Sequence, residues 1–102
     1  MDLDFKIIGN DICIKLRGEI DEYSARSLRA DIDKLIEAQG FRTMTFDMKD
    51  VTFIDSTGLG LVLGRYKKLK QQRAELLLKN IPTQVDKVFR TSGIYSFVPI
   101  VK

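Results

Sequence analysis

The sequence predicts an α/β fold, a mixed β-sheet with helices packed on it in the order β-β-α-β-α-β-α-β. Three observations predict it. The apolar period along the 102 residues alternates between two and three-to-four. Gly, Asn, Asp and Pro sit where the period changes. After an opening hairpin, every strand pattern is followed by a helical one, which implies right-handed crossovers and parallel pairing. A two-layer sandwich follows, with residues 1–102 as one domain of ordinary size.

The elements follow in order. Residues 5–8 and 12–16 read as two strands around a Gly9-Asn10-Asp11 turn, whose residues tolerate the positive φ of tight hairpins. Ile12, Ile14 and Leu16 share one face; Cys13 and Lys15 share the other. Gly18-Glu19-Ile20-Asp21 reads as a loop. A helix is expected over residues 24–38, with Leu28, Ile32, Leu35 and Ile36 as its stripe and Gly40 as terminator. Residues 41–48 alternate as a strand, and Val51, Phe53 and Ile54 form a further apolar run. A second helix runs from the Asp55 turn to about Gln72, its stripe Leu59, Val62, Leu63, Tyr66 and Leu69. Gly60 and Gly64 share one face of it, which suggests a close backbone approach, to the sheet or to a partner. Residues 75–79 form a short strand. Pro82 and Thr83 open a third helix that ends at Gly93, and residues 97–101 read as the last strand.

Composition excludes several functions. There is no histidine, so the commonest general base and metal ligand is missing. Catalytic triads and zinc sites of the usual kinds are excluded, and neither an enzyme, a metal nor a cofactor is expected. Cys13 is the single cysteine, which precludes an intrachain disulfide and reads as a buried structural thiol. No apolar run approaches the ~20 residues of a membrane span. Met1-Asp2-Leu3-Asp4 lacks the order of a signal peptide, so a cytoplasmic protein is expected. The net charge of +3 is concentrated in Arg65, Lys67, Lys68, Lys70 and Arg73, read as a solvated helix face. Without an aromatic or loop platform for bases, no nucleic-acid partner is expected.

The segment Asp55-Ser56-Thr57-Gly58-Leu59-Gly60 carries the functional signal. A hydroxyl-bearing turn between strand and helix can be a simple Ser or Thr cap worth about 1 kcal/mol. Two hydroxyls and two glycines exceed what one cap requires, and Gly58 leaves the first turn open to a partner backbone or a nucleotide. The spacing is neither a P-loop nor a nucleophile elbow. Asp21, between Glu19 and Glu22, makes an acidic loop that the topology can bring to the same sheet edge as Ser56.

Three stretches, Gly18-Glu19-Ile20-Asp21, Asp50 through Gly60 (DVTFIDSTGLG) and Phe89-Arg90-Thr91-Ser92-Gly93-Ile94, together resemble the STAS-domain anti-sigma factor antagonists of bacteria. The likeness covers nearly the whole chain. LVLGRYKKLK, residues 61–70, is most similar to the sporulation sigma-F members, and the Ser56-Thr57 pair to the general-stress sigma-B members. The resemblance implies a partner switch. The unmodified antagonist binds an ATP-bound anti-sigma factor that is also a serine kinase, and sigma is released. Phosphorylation of Ser56, with Thr57 as secondary candidate, switches the protein off, and a PP2C-type phosphatase restores it. Partner contacts then fall on Asp21, Asp55, Thr57, Gly58, Leu59 and Gly60, and the protein is a monomer or weak dimer. The alternative implied is a STAS scaffold subunit of a larger signalling assembly. One departure is structural: many members place glycines where Gln72-Arg73-Ala74 stand, so Arg73 is a candidate for a left-handed conformation.

Overall fold

A computed structural model describes residues 3–38 and 40–101; Met1 and Asp2, used above against a signal peptide, lie outside them. Within them run β1 (Asp4–Ile8), β2 (Asp11–Ile20), α1 (Glu22–Ala38), β3 (Thr43–Ile54), α2 (Ser56–Gln71), β4 (Glu75–Lys79), α3 (Thr83–Ser92), a 3-10 turn (Ile94–Ser96) and β5 (Ile100–Val101). The sheet order is β1-β2-β3-β4-β5, with β1 antiparallel to β2 and every later pair parallel. The expected mixed sheet is realised.

Register explains the two layers. Ile12, Met44 and Leu76 pair across three strands, as do Ile14, Phe46 and Leu78. All six are buried, and they line one face beneath the helices. Cys13, Thr45 and Leu77 point the other way and are only half-buried. Cys13 is therefore a half-buried thiol on the open face, not the buried one expected. Phe5 and Ile7 of β1 continue the core face but extend beyond helix cover and remain exposed.

Four boundaries differ from expectation, each for a local reason. β2 continues to Ile20 instead of stopping before a loop; bulges between Lys15 and Arg17 and between Gly18 and Glu19 absorb the irregularity, with Gly18 at φ 76°. α1 begins at Glu22 because Asp21, not Ser24, caps it. The two apolar runs at 41–48 and 51–54 belong to one strand, β3. The last strand shrinks to Ile100–Val101 because the chain first makes the 3-10 turn. Arg73 does take the left-handed conformation, at φ 61°, where helix α2 closes through Arg73 N–H to Lys70 O and Ala74 N–H to Leu69 O.

The face that α2 buries also differs. Gly58, Leu61, Val62, Arg65 and Leu69 are its buried residues, while Leu59, Leu63 and Tyr66 pack at the margins. Arg65, expected in solvent, points into the α1–α2 seam. Its Nε lies 2.9 Å from Asp33 Oδ1, poorly aligned for a hydrogen bond, and its Nη1 has no partner. Burial pushes the Arg65 guanidinium below its ordinary value, and Asp33 pulls it back. Lys68 reaches Asp33 at 3.6 Å and Glu37 at 2.9 Å, so the seam is an ionic cluster with one buried cation.

Two expectations follow. Asp33→Ala strands the buried guanidinium and is expected to destabilise the fold by about 3 kcal/mol, whereas Glu37→Ala at the exposed rim changes it by less than about 1 kcal/mol; urea unfolding of both variants checks the ranking. Asp86 accepts from Tyr95 Oη and from Arg90 Nε, each at 2.6 Å, and these bonds hold its carboxyl below the ordinary 3.8. A depressed folded pKa stabilises above the ordinary value and is lost as pH falls through the folded one. Tyr95→Phe should therefore narrow the stability gap between pH 7 and pH 3, measured by thermal unfolding at both.

Candidate functional site

β2 and β3 end side by side. Ile20 pairs with Ile54 in parallel register, and the Asp55 amide donates to Ile20 O at 3.3 Å. Each strand then turns at once into a helix, so the N-termini of α1 and α2 emerge at one sheet edge. Asp21 and Asp55 are the first residues beyond the paired isoleucines, which places both acidic positions there, as the topology suggested.

Both aspartates are caps. Asp55 is extended (φ −113°, ψ −170°), its Oδ1 accepts from Gly58 N–H at 2.9 Å, and its carbonyl starts the helix by accepting from Leu59 N–H. Asp21 Oδ1 accepts from the amides of Tyr23 at 3.0 Å and Ser24 at 3.1 Å. Ser24 Oγ in turn accepts from the Asp21 amide at 3.0 Å and donates to Glu19 O at 2.8 Å. That reciprocal pair is a capping box with serine in the glutamate's place. The expectation of a Ser56 or Thr57 cap is thus corrected. A carboxylate holds the cap, because an aspartate one residue earlier reaches the same amide.

This frees Ser56. It is the first helical residue and exposed, and its hydroxyl has no hydrogen-bond partner among the described residues. Thr57 beside it is half-buried. The Ser56 and Thr57 amides make no hydrogen bond among the described residues, so two donors at the positive end of α2 face outward. Neither Asp21 nor Asp55 forms an ion pair among those residues. The edge is hydroxyl-bearing and acidic.

The three glycines of α2 do different things. A Cβ on Gly58 would lie 2.5 Å from Ile20 O and 2.5 Å from Ile54 Cγ1. The bare position expected to admit a visitor is filled by the protein's own strands. Gly60 and Gly64 meet nothing within 4 Å, so the close approach expected within the chain is absent. They follow Ser56 at successive turns and leave a smooth outward strip. Leu59 instead faces α3, where with Lys87, Val88, Thr91 and Ser92 it lines an open groove of about 350 Å3.

Sequence reasoning missed two exposed aromatics on elements that reach this edge. Tyr23, in the first turn of α1, is 88% exposed and Phe53, one residue before the end of β3, is 48% exposed. The available signal was a large aromatic two positions from an acidic residue at a strand-to-helix junction, Tyr23 after Asp21 and Phe53 before Asp55. It missed Gln84 as well, whose Nε2 donates to Thr52 O at 2.8 Å and ties α3 to the end of β3.

The described residues hold no cluster of three or more metal-ligating side chains, and no helix among them is long and apolar enough to cross a membrane. Comparison with known proteins places the whole arrangement. The STAS domain model matches residues 2–102, and the chain belongs to that family. It is 37% identical over 100 residues to the anti-sigma-B factor antagonist of Bacillus subtilis, covering 98% of this chain and 90% of that one. It is 29% identical over 89 residues to the anti-sigma F factor antagonist of Paenibacillus polymyxa, covering 87% and 76%. Among solved structures, the unphosphorylated anti-sigma factor antagonist SpoIIAA superposes with a TM-score of 0.83 at 29% identity, over 98% of this chain and 88% of that one. Phosphorylated Bacillus SpoIIAA superposes with a TM-score of 0.74 at 28% identity, over 98% and 91%.

The glycine geometry yields a sharp contrast. Gly58→Ala is expected to destabilise the fold by about 1–3 kcal/mol, since the new methyl meets backbone. Gly60→Ala should stabilise it by about 0.5–1 kcal/mol, because the site is open and helical. Denaturant midpoints of the two variants test both signs.

Proposed function

We propose that this chain is an anti-sigma factor antagonist of the partner-switching kind. Its unphosphorylated form binds an anti-sigma factor serine kinase through the edge formed by Asp21, Asp55, Ser56 and Thr57 and by Leu59 and Gly60, and sigma is released. Phosphate on Ser56 ends that binding, and a PP2C-type phosphatase removes it. The protein works in the cytoplasm as a monomer or weak dimer. The observation that carries the reading is the exposed, unpartnered Ser56 hydroxyl at the start of α2. It is supported by the family of relatives named anti-sigma factor antagonists, one of them solved with and without phosphate.

The electrostatics give the switch its sign. A phosphoserine adds roughly −1.5 to −2 charge. In the free protein two opposing terms act on it. The outward amides of Ser56 and Thr57 and the helix dipole attract it by about 0.3–1 kcal/mol. The Asp55 carboxylate, already seated on the Gly58 amide, repels it. Water screens both, so the fold persists. Under a docked partner the water is gone, and the phosphate meets Asp55 and the Asp21 side, neither of which is ion-paired among the described residues. A 10³-fold affinity loss requires about 4 kcal/mol, which an imperfectly paired, desolvated dianion readily supplies.

Incubation with the cognate kinase and ATP, followed by peptide mass spectrometry, should place one phosphate on Ser56. Phosphate on Thr57 alone, or on neither, overturns the site. Ser56→Ala should bind the kinase normally and resist phosphorylation. Ser56→Asp should bind at least about 10²-fold more weakly with an unchanged circular dichroism spectrum, and tight binding by that variant removes the electrostatic argument.

A further inference from the structure

We propose that the cleft at the far end of α2 from Ser56 is a second binding site, taking a small organic anion with a flat aromatic body. The cleft measures about 420 Å3, within the range of small-molecule sites. It lies between the last two turns of α2, the start of β4 and the segment before β5, and its lining includes Tyr66, Lys70, Arg73, Glu75, Leu76 and Phe97.

Four features give it chemistry. Phe97 is 58% exposed although large and apolar, and its ring meets Tyr66 at 6.1 Å and 53°, which leaves a ring face open to stacking. Lys70 Nζ donates to the Tyr66 hydroxyl at 3.3 Å, so the hydroxyl proton is free for a ligand oxygen. Neither Lys70 nor Arg73 forms an ion pair among the described residues, whereas Lys68 in the same helix has two carboxylate partners. Arg73 stands at φ 61° in the helix-closing position that glycine occupies without strain. A guanidinium stands there against backbone preference, lining the cavity. Glu75 also lines the cleft, and its carboxylate favours an anionic group placed toward Lys70 and Arg73 and away from itself. Composition had suggested that no aromatic platform accompanies the basic run; the fold supplies one by bringing Phe97 onto Tyr66.

The competing explanation is that Lys70 and Arg73 merely complement the negative end of the α2 dipole. Arg73→Gly separates the two. Titration of the 15N-labelled chain with indole-3-acetate should give saturable amide shifts confined to Tyr66, Lys70, Arg73, Glu75 and Phe97, with Ser56 unmoved. Neutral indole-3-acetamide and inorganic phosphate, each lacking one half of the recognised chemistry, should bind at least about 10-fold more weakly. Arg73→Gly should raise the urea midpoint yet weaken indole-3-acetate about 10-fold, and Glu75→Gln should tighten it. Scattered or non-saturating shifts, equal binding of the acetamide, or an Arg73→Gly variant that loses stability and keeps binding would each overturn the proposal. Ser56 phosphorylation plays no part in the readout, so failure here leaves the partner-switch reading standing.

Discussion

The closest constraint in the molecule is the absence of a side chain at Gly58. The first turn of α2 rests directly on the joined ends of β2 and β3, with room for nothing larger than hydrogen between its Cα and Ile20 O or Ile54 Cγ1. That contact fixes where the helix starts. Because Ile20 and Ile54 pair in register, it also fixes α2 beside α1. Ser56 inherits its position from this packing: it is the first residue of a helix that cannot slide, at an edge where two N-termini open together. A partner surface can therefore meet a preformed arrangement and need not order a loop, which removes one entropic cost of docking.

The charges at that edge are arranged against a second anion. Two helix N-termini would ordinarily attract phosphate, but each already has its own carboxylate, Asp21 or Asp55, bound to its amides. What remains at α2 is a pair of outward donors at Ser56 and Thr57, enough to tolerate a phosphate in water and too little to neutralise one under a partner. The same residues thus account for two properties that pull in opposite directions. The caps stabilise the unmodified fold, and with the phosphate proposed for Ser56 their charge would make the modified surface unfit for close contact.

Much of this was legible in the sequence, and the exceptions share a cause. Alternation along 12–16 and 44–48 predicted the buried face of the sheet, since a strand with one covered face has no other stable register. The Asp-Ser-Thr-Gly turn predicted a helix start. Arg73 was singled out as a left-handed candidate through the resemblance, because many members of that family place glycines where Gln72-Arg73-Ala74 stand. What failed depended on a neighbour in space. Arg65 reads as surface in a basic run, and only α1, which brings Asp33 against it, makes its burial possible. Gly58 and Gly60 look equivalent on paper; the ends of β2 and β3 lie under one and nothing lies over the other. The cap assignment failed more narrowly, because Asp55 and Ser56 are both good cap residues and local pattern cannot say which of them is extended.

α2 is anchored in a way that suits a switch. Its outward strip of Ser56, Gly60 and Gly64 carries almost no side chain, and Gly60 and Gly64 make no contact there that the fold requires. Its hold on the rest of the protein comes from the opposite side: Gly58 on the strands, Leu61, Val62 and Leu69 in the core, and Arg65 buried beside Asp33 in the seam. A helix secured this way can change charge on its outer face without repacking its inner one. Its two ends are also unlike each other. One presents a hydroxyl between capped carboxylates, the other a strained arginine beside two aromatic rings, with four helical turns of rigid backbone between them. The two ends share no lining or capping residue, so a substitution at one leaves the contacts of the other in place.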